Sequence, residues 1–337
     1  MKRFLAAVAI LSQAAWAQGL NLGGTQVPKD KIIVYLLLGH SNMAGVEMTK
    51  TDAVTHPHAW KYNWMSDKQW VLAKETPGNF TNGLSTRGEG GPGMPFLKGM
   101  AAAYPQYYFG IVSNASQSAT LHALNTGSSS GHLPQDSMRY WKGISLYNEL
   151  LQAAKEVKNN VTFGGMICML GTVEATRTTE EGCRAFSADA AQMVSDFRQD
   201  LGVPNLPFII GEYEAGASGN FALTKLWPQI VDQQIKLIPS KLALSATVNS
   251  VGIPMRDDHH YTPDVGQPEF AKRVVAVIQS KGWGPGASSA LFRPLPAYRV
   301  TFQSRVGIRG ILLAGPGNAR YFPDGKIAAP REALPGS

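Results

Sequence analysis

Cysteine is scarce in this chain: Cys168 and Cys183 are the only two among 337 residues. That excludes a site built from several thiolates. The pair is compatible with one disulfide in an exported protein, or with a buried Cys168 in an apolar strand and an unrelated Cys183; the distance between the two Cα atoms decides. Histidine is also sparse, with seven residues, and none stands at zinc-ligand spacing with supporting ligands. His56 and His58 lie two apart in a loop and form no such set. No H-E-x-x-H, no P-loop and no G-x-G-x-x-G in strand context occurs, which removes the motif-based cases for a zinc peptidase, a nucleotide hydrolase and a dinucleotide enzyme. No apolar run reaches the roughly 18 to 20 residues that a membrane-spanning helix needs. Internal repeats and low-complexity tracts are absent.

Charge is moderate at 16% of residues, against 44% hydrophobic, which is ordinary globular composition. The net charge of +7 is unevenly placed. Lys2 and Arg3 open a leader-like stretch, followed by apolar Phe4 to Leu11 and the small-x-small site Ala15-Trp16-Ala17. This reads as an export signal over 1–17, so that the mature chain begins near Gln18 and is secreted. From Ala287 onward there are seven basic and two acidic residues, whereas 18–286 holds equal numbers of each sign. The basic character therefore belongs to the tail, and the main domain carries no signature of a nucleic-acid groove.

Five short runs rich in β-branched and aromatic residues read as strands buried on both faces: Ile32 to Leu38, Tyr108 to Val112, Phe163 to Leu170, Leu206 to Ile210 and Leu242 to Val248. Between them apolar spacings of three and four mark helices over Pro95 to Ala103, Trp141 to Val157, Ala185 to Leu201, Leu226 to Leu237 and Gln267 to Ser280. Such alternation predicts an α/β fold: three layers, with a central, mainly parallel sheet between helices. The domain is expected over 18–284. A basic extension over 285–337 follows a GPGASS linker and contains a plausible hairpin, Tyr298 to Gln303 with Gly307 to Ala314. Thr49 to Gly93 shows little periodicity, and Asn125 to Gln135 is a loop by composition. Trp60, Tyr62, Trp64 and Trp70 lie in the first of these stretches, where they either stack on a ligand or join the core.

Sites in parallel sheets sit at the carboxyl ends of strands. Gly39-His40-Ser41-Asn42-Met43-Ala44-Gly45 follows the first strand directly. Ser41 there is either a helix cap or a nucleophile whose turn is made possible by Gly39. A serine nucleophile needs a base, and the base needs a carboxylate. Asp257-Asp258-His259-His260-Tyr261-Thr262 supplies both, because Asp257 and His260 are three apart on a tight turn. His259 has Arg256 at that offset and is the weaker base. Gly127-Ser128-Ser129-Ser130-Gly131 matches G-x-S-x-G but has polar flanks in place of the strand and helix that a nucleophile elbow requires.

GHSNMAG resembles the GQSNMAG motif of the sialate O-acetylesterase family of SGNH hydrolases, which overlaps carbohydrate esterase family six. The D-x-x-H-Y-T block at Asp257 to Thr262, the Gly91-Pro92-Gly93-Met94-Pro95-Phe96 segment and the passage from Phe197 to Gly211 are similar to that family as well. The resemblance spans about 30 to 282. It implies deacetylation of sugar hydroxyls by a Ser41–His260–Asp257 triad without metal or organic cofactor, with acetylated carbohydrate as substrate. A small acyl ester as substrate, or glycan binding without turnover, remain the rivals. The family's oxyanion segments are altered: the second strand is followed by Ser116-Gln117-Ser118-Ala119-Thr120, and the third by Leu170-Gly171-Thr172-Val173-Glu174. Leu170 stands where the family has a glutamine, and His40 replaces the glutamine of GQSN. His40, Asn42, Asn114, Gln117 and Gly171 are therefore the candidates for oxyanion or substrate contacts.

Overall fold

A computed structural model describes residues 19–45, 55–74, 89–116, 119–121, 146–177, 180–213, 227–257 and 259–286. The expected leader, the C-terminal hairpin, the GSSSG loop and Gln117 lie outside the described residues. The chain divides into the units Met1–Pro294 and Leu295–Ser337, and every described residue belongs to the first.

A small antiparallel hairpin, β1 (Gly19–Leu22) and β2 (Thr25–Pro28), precedes the main sheet. Its turn uses Gly23 and Gly24 at φ 60° and 93°, a conformation that glycine adopts without penalty. The order then runs β3 (Ile32–Gly39), α1 (Ser41–Ala44), β4 (Ala59–Tyr62), β5 (Trp70–Leu72), α2 (Met94–Ala103), β6 (Tyr108–Ala115), α3 (Leu146–Val157), β7 (Thr162–Met169), α4 (Thr172–Arg177), α5 (Glu180–Leu201), β8 (Phe208–Gly211), α6 (Trp227–Lys241), β9 (Ser245–Val248) and α7 (Gly266–Ser280). Seven strands form the sheet in the order β5-β4-β6-β3-β7-β8-β9, parallel except for β5 at the edge.

The sheet separates two apolar clusters. Along β3, Ile32, Val34, Leu36 and Leu38 pack with α3, α5 and α6, while Ile33, Tyr35 and Leu37 pack with α2 and α7. All eight β3 residues are buried, which is why the strand reads as one unbroken apolar run. Fully buried rings such as Phe197 on one side and Phe270 on the other each contribute about 1.5–3 kcal/mol. Tyr35 crosses β7 at an irregularity, where its register partner becomes Gly165 and Gly164 is skipped. A Cβ on Gly164 would collide with the Tyr35 ring, so this glycine admits the ring that then packs edge-on against Phe96, 4.8 Å between centroids.

Several expectations shift. The aperiodic stretch after Thr49 contains β4 and β5, which extend the sheet at one edge. Trp60 and Tyr62 are buried, and Trp64 and Trp70 pack against the same core, so these aromatics build the sheet edge. The last strand begins at Ser245, because Leu244 takes φ 53° and breaks the extended path from Leu242. Cys168 and Cys183 are both buried free thiols. Among the described residues no helix is long and apolar enough to cross a membrane.

Candidate active site

The parallel strands deliver Gly39, Ala115, Met169, Gly211 and Val248 to one edge of the sheet. The β3 end is drawn tight against its neighbours. His40 N–H donates to Met169 O (3.0 Å) on β7, and Ser116 N–H donates to Gly39 O (3.0 Å) beyond β6. A Cβ at residue 39 would lie 2.5 Å from Met169 O, so only glycine permits this approach. The chain then enters α1 at Ser41. His40 caps it, its Nδ1 accepting the Asn42 N–H at 3.3 Å. The signal that suggested a helix cap at this motif is thus genuine, but the cap is His40.

Beyond β9 the chain folds back on itself. Met255 bridges Tyr261 antiparallel, and Arg256 N–H donates to His260 O (2.7 Å). Asp257 Oδ1 accepts the backbone N–H groups of His259 (3.0 Å) and His260 (2.7 Å). This places the Asp257 carboxylate on the His260 ring, Nδ1 to Oδ2 2.8 Å and Nδ1 to Oδ1 3.1 Å. His260 Nε2 lies 2.9 Å from Ser41 Oγ. The carboxylate on Nδ1 assigns the ring proton to that nitrogen, so Nε2 offers its lone pair to the serine hydroxyl. Ser41 and His260 are both nearly closed off from bulk solvent.

Burial raises the Asp257 carboxyl, but the His259 N–H, the His260 ring, the His260 N–H and Arg256 together outweigh it and hold the group well below the usual carboxylate range. His260 is lowered from 6.5: burial is the main cause, the Asp257 carboxylate opposes it, and His259 adds to it. His259 tilts over His260 with centroids 3.8 Å apart. Asp257, His259 and His260 also have donor atoms within 4.8 Å of one another, the geometry of a potential cation site. His260 spends one ring nitrogen on Asp257 and the other on Ser41, so a cation bound through it would displace one of those contacts.

The other candidates have distinct surroundings. The Asn42 amide spans the two halves of the site: Nδ2 donates to His259 O (2.7 Å) and Oδ1 accepts Tyr261 N–H (3.0 Å). Gln267 Nε2, on α7, donates to the Asn42 carbonyl (2.9 Å). Asn42 thus clamps the backbone on either side of His260. The Asn114 Nδ2 donates to Leu146 O (3.1 Å) and Glu149 Oε2 (2.9 Å), which ties the side chain to α3. Gly171, at φ 117°, donates its N–H to Glu174 Oε2 (3.0 Å), and the other Glu174 oxygen accepts Leu121 N–H. Leu170 is buried in the core. Glu174 and Gln267 were not singled out from the sequence. Glu174 stands three residues beyond Gly171, the spacing at which a carboxylate reaches back to cap a helix start.

A cleft of about 400 Å³, counting its open mouth, lies beside the nucleophile turn. His40, Met169, Leu170, Glu212, Tyr213 and His259 are among its walls. Burial, then the His260 and His259 imidazoles, push His40 down to about 3, so it stays neutral at ordinary pH.

Residues 31–280 match the family described as carbohydrate esterase, sialic acid-specific acetylesterase. No curated protein matches the sequence. Among solved structures, a protein from Arabidopsis thaliana is similar at TM-score 0.56 and 17% identity over 74% of this chain and 98% of its own. NanS is similar at TM-score 0.54 and 16% identity over 76% and 98%. A carbohydrate acetylesterase from Xanthomonas citri is similar at TM-score 0.51 and 18% identity over 73% of this chain and 55% of its own. At these identities the structures speak for the fold. The family match covers most of the chain: it belongs to the sialic acid-specific acetylesterase family of carbohydrate esterases and is a carboxylic ester hydrolase.

Proposed function

We propose that this chain is an exported serine esterase that removes O-acetyl groups from carbohydrate, with Ser41 as nucleophile, His260 as base and Asp257 as its orienting carboxylate. The observation that carries this reading is the file Ser41 Oγ, His260 Nε2, His260 Nδ1 and Asp257 Oδ2, joined by contacts of 2.9 and 2.8 Å. The family, and the carbohydrate acetylesterase among the structural neighbours, support an acetylated sugar as substrate. The leader-like segment over 1–17 supports export.

In this mechanism Ser41 Oγ attacks the acetyl carbonyl carbon while its proton passes to His260 Nε2. The Asp257 carboxylate stabilises the resulting imidazolium through Nδ1. The tetrahedral intermediate collapses, the carbon–oxygen bond to the sugar breaks, and His260 returns the proton to the departing sugar oxygen. Acetyl-Ser41 is then hydrolysed by a water that His260 deprotonates, giving acetate and free Ser41.

Hydrolysis of an aryl acetate and of acetylated xylan and O-acetylated sialic acid by the full chain, alongside Ser41→Ala, tests the reading. Turnover that vanishes in Ser41→Ala is expected. Equal rates in wild type and Ser41→Ala would refute the nucleophile, and turnover of simple esters with no release of acetate from any acetylated sugar would refute the substrate class.

A further inference from the structure

The proposed mechanism generates negative charge on the acetyl carbonyl oxygen, and that charge needs donors already aimed at it. Three of the groups expected to supply them are engaged elsewhere: the Asn42 amide with His259 and Tyr261, the Asn114 amide with Leu146 and Glu149, the Gly171 N–H with Glu174. The Leu170 side chain has no polar hydrogen. His40 differs from all of them. It is 3% exposed, it lines the cleft, and its Nδ1 accepts the Asn42 N–H. A neutral ring that accepts at Nδ1 carries its proton on Nε2. Among the described residues that Nε2 meets no hydrogen-bond partner. The backbone of His40 is anchored to β7 through Met169 O, so the ring sits on a rigid support one residue from Ser41.

We propose that the His40 Nε2–H donates a hydrogen bond to the carbonyl oxygen of the ester attacked by Ser41, taking the place of the donor that Leu170 lacks. The inference rests on the serine-esterase reading above. His40 transfers no proton. Its N–H bond stays intact while the carbonyl oxygen gains charge in the tetrahedral intermediate and loses it when the sugar oxygen departs. Neutrality suits this part. His260 becomes an imidazolium in the same step, and a second cation beside it would be repelled. The surroundings that hold His40 uncharged also make it too weak a base to compete for the Ser41 proton. A neutral imidazole polarising a carbonyl is established chemistry for an enzyme.

The test is steady-state hydrolysis of an aryl acetate by the full chain carrying His40→Ala, His40→Phe or His40→Gln, with folding checked by thermal melts. Removing the donor in His40→Ala and His40→Phe is expected to lower kcat about a hundred- to a thousand-fold with KM little changed. The amide N–H of His40→Gln is expected to restore kcat to within about tenfold of wild type. A purely steric role predicts the opposite ranking, with the ring-shaped His40→Phe the better enzyme. Wild-type kcat in His40→Phe, a rise in KM alone, or a folded His40→Gln no faster than His40→Phe would each overturn the proposal. Should His40→Ala fail to fold, the comparison of His40→Phe with His40→Gln still decides. Loss of turnover in Ser41→Ala with normal turnover in His40→Phe would sink the His40 assignment alone, whereas turnover that survives Ser41→Ala would sink the esterase reading beneath it.

Discussion

Acidification should destabilise this protein through His40, and the size of the effect follows from its burial. The folded ring binds a proton only near pH 3, pushed there by burial and by the His260 and His259 imidazoles, whereas an exposed histidine titrates at 6.5. Between those values the unfolded chain holds a proton that the folded chain refuses. Stability is therefore fully present above about pH 6.5 and falls as pH drops, by up to about 1.4 kcal/mol per unit. At about pH 4.5 the accumulated loss is about 3 kcal/mol, a large fraction of the 5–15 kcal/mol typical of a domain. Urea unfolding of wild type and His40→Gln, followed by circular dichroism from about pH 7 to pH 4.5, measures it. Asp257 and His260 titrate in both proteins, so their own contributions largely cancel in the difference. Wild type should lose about 3 kcal/mol more than the variant over that range. Parallel stability curves would show that the folded ring accepts a proton readily, and the account of a permanently neutral His40 would fail.

Three further outcomes follow from the same geometry. The kcat/KM of ester hydrolysis should fall on the acid side with a midpoint below the ordinary histidine value of 6.5, because burial disfavours the His260 imidazolium more than Asp257 favours it; a rate independent of pH across that limb would remove His260 as base. Asn42→Ala leaves His259 O and Tyr261 N–H without their partners, and should cost about 2–4 kcal/mol in urea while lowering kcat much more than it raises KM; an unchanged kcat in the folded variant would show that the clamp does not position His260. Arg198, buried on α5, donates to Leu206 O (2.9 Å) and Leu244 O (3.2 Å) at the starts of β8 and β9. Burial lowers it only to about 10, so it remains charged, and Arg198→Leu should destabilise by about 2–4 kcal/mol without altering kcat; full stability in urea would contradict a structural part for these two bonds.

The central strands were legible because each is apolar on both faces, as the unbroken run from Ile32 to Leu38 illustrates. β4 and β5 were not, since Ala59–Tyr62 and Trp70–Leu72 are too short for a period to declare itself, and β4 owes its place to β6 while β5 owes its own to β4. The joining of Asp257 to His260 could be read from a three-residue offset. The start of the last strand could not, because Leu244 leaves the extended region at a position where nothing in its side chain announces a positive φ. Asn42, Asn114 and Gly171 illustrate a deeper limit. Sequence identifies which groups are able to donate, but whether a donor is spent depends on partners such as His259 O, 217 residues away. That information exists only once the chain has folded.

The site also shows how one residue type is divided among separate tasks by its neighbours. His260 has a carboxylate on Nδ1 and a hydroxyl on Nε2, the two contacts a proton-shuttling base requires. His259 lies against the same carboxylate at 3.5 Å from Nδ1 to Oδ1, but is more exposed and has its carbonyl held by Asn42. His40 has no carboxylate among these contacts and is nearly sealed from water. Exchanging His40 and His260 in function would require moving Asp257, not altering either ring. The carboxylate that selects the base is in turn held by backbone N–H groups of the very loop that Asn42 clamps. The nucleophile's own neighbour therefore governs which imidazole can act as base, and the adjacency of Ser41 and Asn42 in the sequence couples the two halves of the site more tightly than either half's local geometry would.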